Sequence, residues 1–266
     1  MVQRLWLFSG RKLVNERILF DDLIIGWLIL AAAVFILLFF VTAPYGRHVR
    51  KGWGPSLDNK LGWMIMESTS ALLFALFFIL GDHHSSVTAV VFLLMWEAHY
   101  IHRAFIYPLT LHGPSKRMPI LIVEMGLFFN SINAYLNGRY LFSLSGGYAS
   151  SWLRDPRFIL GLMLFVAGFM INRHSDRILG GLRKPGENGY KIPHGGFYRW
   201  VSSPNYLGEL AIWCGWALAT WSLSGLTFAI WTAANLVPRA RANHQWYKSK
   251  FDDYPRERRI LIPGIW

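Results

Sequence analysis

Apolar residues along this chain fall into long runs rather than into the short periodic stripes of a soluble core. Residues 23–43 run for twenty-one positions without a charge, enough for a helix to cross about 30 Å of bilayer hydrocarbon. Further runs cover 61–81, 87–111, 118–137 and 158–172, the last of them short but extendable at both ends. The final stretch, 206–238, has 33 residues and would be about 50 Å long as one helix. Splitting it at Ser222-Leu223-Ser224-Gly225 gives a tight hairpin of two spans, 206–222 and 225–238. The pattern predicts an all-α polytopic membrane protein: a seven-transmembrane-helix bundle forming one domain over residues 1–266.

Composition supports that reading. Of 266 residues, 53% are hydrophobic and 16% charged, against about 25% charged in soluble domains. The first run is too long for a signal-peptide core, and Pro44-Tyr45-Gly46-Arg47 follows it in place of a small-residue cleavage site. The single cysteine, Cys214, excludes an internal disulfide and any CxxC metal site. A formal charge of +12 would suggest nucleic acid in a soluble protein. Here the basic residues gather in loops, where positive-inside bias and anionic lipid or phosphate explain them. Residues 173–204 hold six Lys/Arg and residues 239–266 hold seven. That side is therefore expected to be cytoplasmic, with the C-terminus there and the N-terminus outside. Arg4, Arg11, Lys12 and Arg17 run against this orientation, and the larger excess decides it.

The residues that do not belong in lipid carry the functional signal. Glu67 lies within the second run, where an ionisable group costs about 2.5–3.5 kcal/mol and must face protein or water. In the third run, Glu97, Tyr100, Arg103 and Tyr107 share one helical face, with His99 and His102 beside it. Such a stripe is either an interhelical network or the wall of a polar pocket. A zinc site on Glu97, His99 and His102 lacks the i, i+4 histidine spacing of a metalloprotease helix, and no metal is expected. Towards the C-terminus Asn172 and Asp176 lie one turn apart, before the glycine-dense loop RILGGLRKPGENGYKIPHGGFYRWVSSPNYLGE. Ser203-Pro204 reads as a helix start, with Asn205 and Glu209 one turn apart beyond it. Free N–H groups there suit a phosphate, and Arg183, Lys184, Lys191, Arg239 and Arg241 would add charge-assisted contacts. No GxGxxG or P-loop is present, so a nucleotide would bind without a Rossmann fold.

The segments LRKPGE, IPHGGFYRWVSSPNYLGE, ATWSL and FDDYPRERRILIP, with HYIHRAFIYP in the third run, resemble the steroid 5α-reductase family over about three quarters of the chain. The resemblance implies a seven-helix enzyme that uses NADPH to reduce the C4–C5 double bond of a 3-oxo-Δ4 steroid. It implies a steroid held within the bundle, a cofactor entering from the cytosolic side, and an endoplasmic reticulum or bacterial inner membrane as the location. Glu67 and Tyr100 match the pair that hydrogen-bonds the C3 carbonyl oxygen. Asn172, Asp176, Arg183, Tyr190, Asn205, Glu209, His244 and Tyr247 match cofactor-pocket positions, and Lys191, Arg239 and Arg258 further basic positions of the same cap, 173–205 and 239–266. Membrane lipid is the expected surrounding, and no nucleic acid or obligate protein partner is implied. The chain departs from the family pattern at Met66, where a glutamine often stands, at Pro114 and at Ser224.

The chemistry suits these residue types. Hydride attack at C5 pushes electron density onto the C3 oxygen, and donors aimed at that oxygen stabilise it as an oxyanion hole does. Tyr100 donates directly; Glu67 donates only as the neutral acid, the form that burial favours. Other readings stay open: reduction of another enone-type lipid such as a polyprenal, enoyl thioester or sterol; a membrane lipid methyltransferase; or a non-enzymatic sterol-binding protein.

Overall fold

The computed structural model describes residues 2–44, 46–48, 52–110, 117–182, 187 and 189–266, with side chains from residue 15 onward. The chain is mostly helical. Helix α1, Val2–Phe40, ends short of the expected 43, because the residue before Pro44 disfavours helical backbone. Helix α2, Asn59–Leu80, starts where Asp58 Oδ1 accepts from the Lys60 and Leu61 amides at 2.9 and 3.2 Å. Ser86 caps α3, Val87–Ile101, in the same way. A π turn, His102–Ile106, then leads into the short α4, Tyr107–Thr110.

Strand β1, Ser56–Asp58, pairs antiparallel with β2, Arg117–Pro119, placing Leu57 opposite Met118. The two strands directly precede α2 and α5, Ile120–Arg139, so both helices leave from one point and run side by side. Small residues keep them close. A methyl group at Gly62 would press on Met118, one at Gly126 on Met66 and one at Gly138 on Phe77.

Helix α6, Pro156–Gly181, is longer than the expected 158–172 at both ends. Asp155 caps its start, Pro156 fills the first position, and Gly180-Gly181 ends it. The expected hairpin is present as two helices, α7, Pro204–Thr220, and α8, Leu223–Lys250, with Trp221 in left-handed backbone at φ 45° and Ser222 capping α8. The expected end of the last span at 238 is not the end of the helix. Pro238 removes one backbone donor, yet the helix continues to Lys250 because Arg239, Ala240, Asn243 and Tyr247 pack a buried face beyond it. Arg239, His244 and Tyr247 therefore ride on α8 instead of an irregular tail.

The closest packing is between α6 and α7. Gly161 and Gly168 on one helix, and Gly208 and Gly215 on the other, are each seven residues apart and so lie on one face. A methyl at Gly168 would sit 2.6 Å from Ile212 N, and one at Gly208 2.5 Å from Asn172 N. The backbones touch without intervening side chains, as small residues allow in membrane helices. Beside this seam lies an aromatic core: Phe74 stacks on Trp96 at 4.3 Å, and Trp96 meets Trp213 and Trp216 at 5.3 and 5.2 Å. Helix α1 joins α8 through Trp27 and Trp231, 4.6 Å apart.

Among the described residues four helices are long and apolar enough to cross a membrane: Asn15–Phe40, Asn59–Leu80, Ile120–Leu144 and Pro156–Gly181. Their lipid-ready faces carry exposed Ile29, Leu72, Phe128 and Met163.

Replacing Gly208 by alanine should destabilise the protein by about 1–3 kcal/mol, because backbone on the opposite helix cannot yield. Gly26→Ala, which meets nothing within 4 Å, should be neutral or slightly stabilising. Thermal unfolding in detergent separates the two.

Candidate active site

At one end of the aromatic core the helices α2, α3, α6 and α7 bring their ionisable residues together. Glu209 is the best satisfied. Its Oε1 lies 3.1 Å from His99 Nε2 and accepts from Trp213 Nε1 at 3.1 Å, while Oε2 accepts from Asn172 Nδ2 at 3.0 Å. Asn172 Nδ2 also donates to the Asn205 carbonyl at 2.8 Å, spanning the glycine seam. Asp176, one turn along α6, accepts from Asn205 Nδ2 at 3.3 Å and faces Arg103 and Arg173 at 3.7 and 4.0 Å. Arg173 also donates to Asn172 Oδ1.

Arg103 joins this group to α2. Its Nη2 lies 4.0 Å from Glu67 Oε1, and its guanidinium stacks over Trp63 and Tyr107 at 5.2 and 5.0 Å. Tyr100, 3% exposed, lies beside Glu67, Ser70 and Glu209. Three carboxylates thus face two guanidinium groups in a largely buried site. Glu209 has three donors, Asp176 has two cations and an amide, and Glu67 has one distant cation that it shares.

The expected stripe of the third run, which spans α3, the π turn and α4, divides. Tyr100, Arg103 and Tyr107 reach the cluster, whereas the buried Glu97 Oε1 has no hydrogen-bond partner among the described residues. His99 and His102 also part: His99 turns to Glu209, and the His102 ring lies 6.1 Å from that of Phe169.

A second group sits next to the first, built from α8, the tail and the loop after α1. Arg239 Nε donates to Tyr206 Oη at 3.1 Å and its Nη1 to the Ala43 carbonyl at 3.4 Å. Tyr247 stacks on Tyr254 at 5.2 Å. His244 Nδ1 and Tyr254 Oη lie 2.6 and 2.7 Å from Ser202 Oγ. Burial, and then the like charge of Lys248, hold His244 below the ordinary imidazole value, so its ring is neutral at pH 7. Arg258 is 4% exposed, lies over the Tyr254 ring and reaches His194 Nδ1 at 3.4 Å. Arg47 is caged by Tyr190, Trp246 and Tyr247, with its guanidinium carbon 5.7, 5.0 and 4.5 Å from their rings. Tyr198 is 1% exposed, and burial raises its phenol well above the usual range, so it keeps its proton.

Of the residues singled out in the sequence, Glu67, Tyr100, Asn172, Asp176, Asn205 and Glu209 form the first group. Tyr190, Arg239, His244, Tyr247 and Arg258 form the second. Lys191 is exposed and pairs with Glu187 at 2.6 Å. Arg183 lies outside the described residues. Arg173, Arg47 and Tyr198 belong to these groups without having been singled out. The i, i+3 spacing of Arg173 and Asp176 was a readable signal once α6 extends past 172; nothing local marked Arg47 among the other basic residues of its loop.

The model of the family described as 3-oxo-5-alpha-steroid 4-dehydrogenase matches residues 116–266. The chain is 39% identical over 258 residues to a steroid 5-alpha-reductase of Gossypium hirsutum, covering 96% of this chain and 100% of that protein. It is 40% identical over 237 residues to one of Arabidopsis thaliana, covering 87% and 90%. Against the 3-oxo-5-alpha-steroid 4-dehydrogenase 1 of Bos taurus it is 40% identical over 255 residues, covering 94% and 98%. The chain therefore belongs to the 3-oxo-5-alpha-steroid 4-dehydrogenase, or steroid 5-alpha-reductase, family.

Proposed function

We propose that this protein is an oxidoreductase acting on a CH–CH bond, reducing the C4–C5 double bond of 3-oxo-Δ4 steroids to the 5α-dihydro products with NADPH. The observation that carries the reading is that Glu67 and Tyr100, from two helices, both border one buried cluster that includes Asn172, Asp176, Asn205 and Glu209. The family's named relatives support the steroid and the reaction.

The donor set suits a phosphate-bearing dinucleotide. Arg47 Nη1, Arg173 Nε and Nη1, Arg258 Nε and Nη1 and Tyr198 Oη are buried with no hydrogen-bond partner among the described residues. Buried donors of this kind call for an acceptor, and anionic oxygens are the strongest. Arg47, Arg258 and Tyr198 would hold phosphate oxygens, with Tyr190, Arg239, His244 and Tyr247 shaping the same wall and Lys191 at its rim; Arg183, outside the described residues, is proposed to add a further cofactor contact. Asn172, Asp176, Asn205 and Glu209 would face the nicotinamide end. When bound, the reduced cofactor supplies a hydride to C5 of the steroid.

The residues of the chain do the rest. Tyr100 donates to the C3 oxygen. Glu67 donates beside it as the neutral acid, since Arg103 lies nearer to Asp176, at 3.7 Å, than to Glu67, at 4.0 Å. Together they stabilise the enolate oxygen as charge develops there, and a proton delivered to C4 from solvent completes the reduction. Arg103, fixed by its stack on Trp63 and Tyr107, bounds the site beside Glu67.

The same reading takes residues 1–266 as one membrane-embedded domain of seven spans. To the four long helices it adds α3 with its π turn, α7 and the first part of α8. The basic excess in 173–204 and 239–266 supports a cytoplasmic C-terminus and an external N-terminus, in the endoplasmic reticulum or a bacterial inner membrane.

Purified protein given testosterone or progesterone with NADPH should form the 5α-dihydro steroid. No product with intact cofactor binding moves the reading to another enone lipid, and no cofactor binding overturns it. Glu67→Gln, which keeps a donor, should retain part of the activity, whereas Glu67→Leu should lower kcat by about 10²–10³; equal rates in both remove Glu67 from the chemistry. Arg258→Met should raise the KM for NADPH about tenfold with kcat little changed, as loss of one charge-assisted contact requires.

A further inference from the structure

Glu67 stands on a helix whose rotation is pinned at the adjacent residue. Asn130 of α5, 5% exposed, donates from Nδ2 to the backbone carbonyl of Met66 at 2.7 Å. One turn later, Trp96 Nε1 of α3 reaches the Ser70 carbonyl at 3.4 Å. Two carbonyls four residues apart on α2 thus receive buried side-chain donors from two different helices, and Glu67 lies between them. The Met66 side chain, 6% exposed, fills the notch over Gly126, so that a methyl there would collide with its sulfur. Gly126 and Asn130 are one turn apart on α5 and so act on Met66 from a single face. The paired strands β1 and β2 fix where both helices begin, which sets this register from the other end.

We propose that Asn130, with the Gly126 notch, is a positioning residue for Glu67: by holding Met66 it sets the rotation of α2 and aims the Glu67 carboxyl at Tyr100 and Arg103. The inference rests on the reading of Glu67 as a donor to the substrate carbonyl. A carboxyl one residue on from the pinned carbonyl moves directly with any rotation of the helix. Arg103 does little to fix its position, since the guanidinium is 4.0 Å away. A backbone carbonyl in a helix already accepts from the amide four residues on. Asn130 therefore does not complete a broken ladder, and its bond serves the relation between two helices.

The test is a double-mutant cycle on the steroid reductase rate in the full-length protein, with NADPH binding stoichiometry as the check on folding. Asn130→Leu keeps the size and removes the donor. It should lower kcat about tenfold, as misplacing a reacting group does, with NADPH affinity unchanged. In the Glu67→Leu background the same substitution should cost less than about twofold, because the group it positions is gone. An equal loss in both backgrounds makes Asn130 structural and overturns the proposal. If Glu67→Leu itself costs nothing, the reading of Glu67 fails, which is a separate result. A second pair avoids dependence on the Asn130 variant: Gly126→Ala should lower kcat, and Met66→Ala in the same chain should restore most of it by vacating the space. Failure of that rescue also overturns the proposal.

Discussion

Contact between the backbones of α6 and α7 is the constraint on which the site depends. Asn172 can reach both the Asn205 carbonyl and the Glu209 carboxylate because Gly208 lets the α7 backbone lie against the Asn172 amide. A side chain at Gly208 or Gly168 would part the helices by the width of a methyl group or more. The amide of Asn172 would then be drawn from its two acceptors, and Asp176 from Asn205. In lipid no hydrophobic drive compensates for such a gap, since the tails are as apolar as the helices. Close packing here thus also fixes polar geometry one turn further along.

Within that frame the cluster is a charge-balance problem. Carboxylates at bilayer depth persist when paired and hydrogen-bonded. Glu209 and Asp176 meet that condition through His99, Trp213, Asn172, Asn205 and the two arginines. Glu67 does not, having one shared cation at 4.0 Å. The arrangement leaves one acid less well paired than the others, on the side of the cluster that Tyr100 also borders. In the proposed reading this acid stays neutral and, with Tyr100, donates to the carbonyl oxygen of an enone undergoing reduction. The second group, with Arg47, Arg258 and Tyr198 holding unpaired buried donors, calls for anionic oxygen.

Much of this was legible in the sequence, and what was not has physical causes. Charges inside apolar runs are costly enough to stand out, so Glu67 and the Tyr100–Arg103 stripe were visible from residue type alone. The hairpin break at Ser222 was visible because 33 apolar residues exceed a bilayer. Helix ends were less so. Pro238 and the polarity of 239–250 suggested a stop, yet the lost hydrogen bond is offset by packing of Arg239, Ala240, Asn243 and Tyr247, which are buried on the continuing helix. The glycines of the α6–α7 seam lay in plain view, but their seven-residue spacing means close approach only once the two helices are known to face each other. Arg47 depends on chain packing between distant segments, and no local pattern points to it. Glu97 shared the periodicity of Tyr100 and Arg103 and still fell outside the cluster, which shows that a face on a helix is wider than a site.

The proposed mechanism stands on Glu67 acting as a neutral acid. Infrared difference spectra of the purified protein at neutral pH, wild type against Glu67→Gln, test it directly. A neutral Glu67 gives a protonated-carboxyl C=O band in the wild type that is lost in Glu67→Gln. A wild-type spectrum without that band, or a band that survives the substitution, would contradict it.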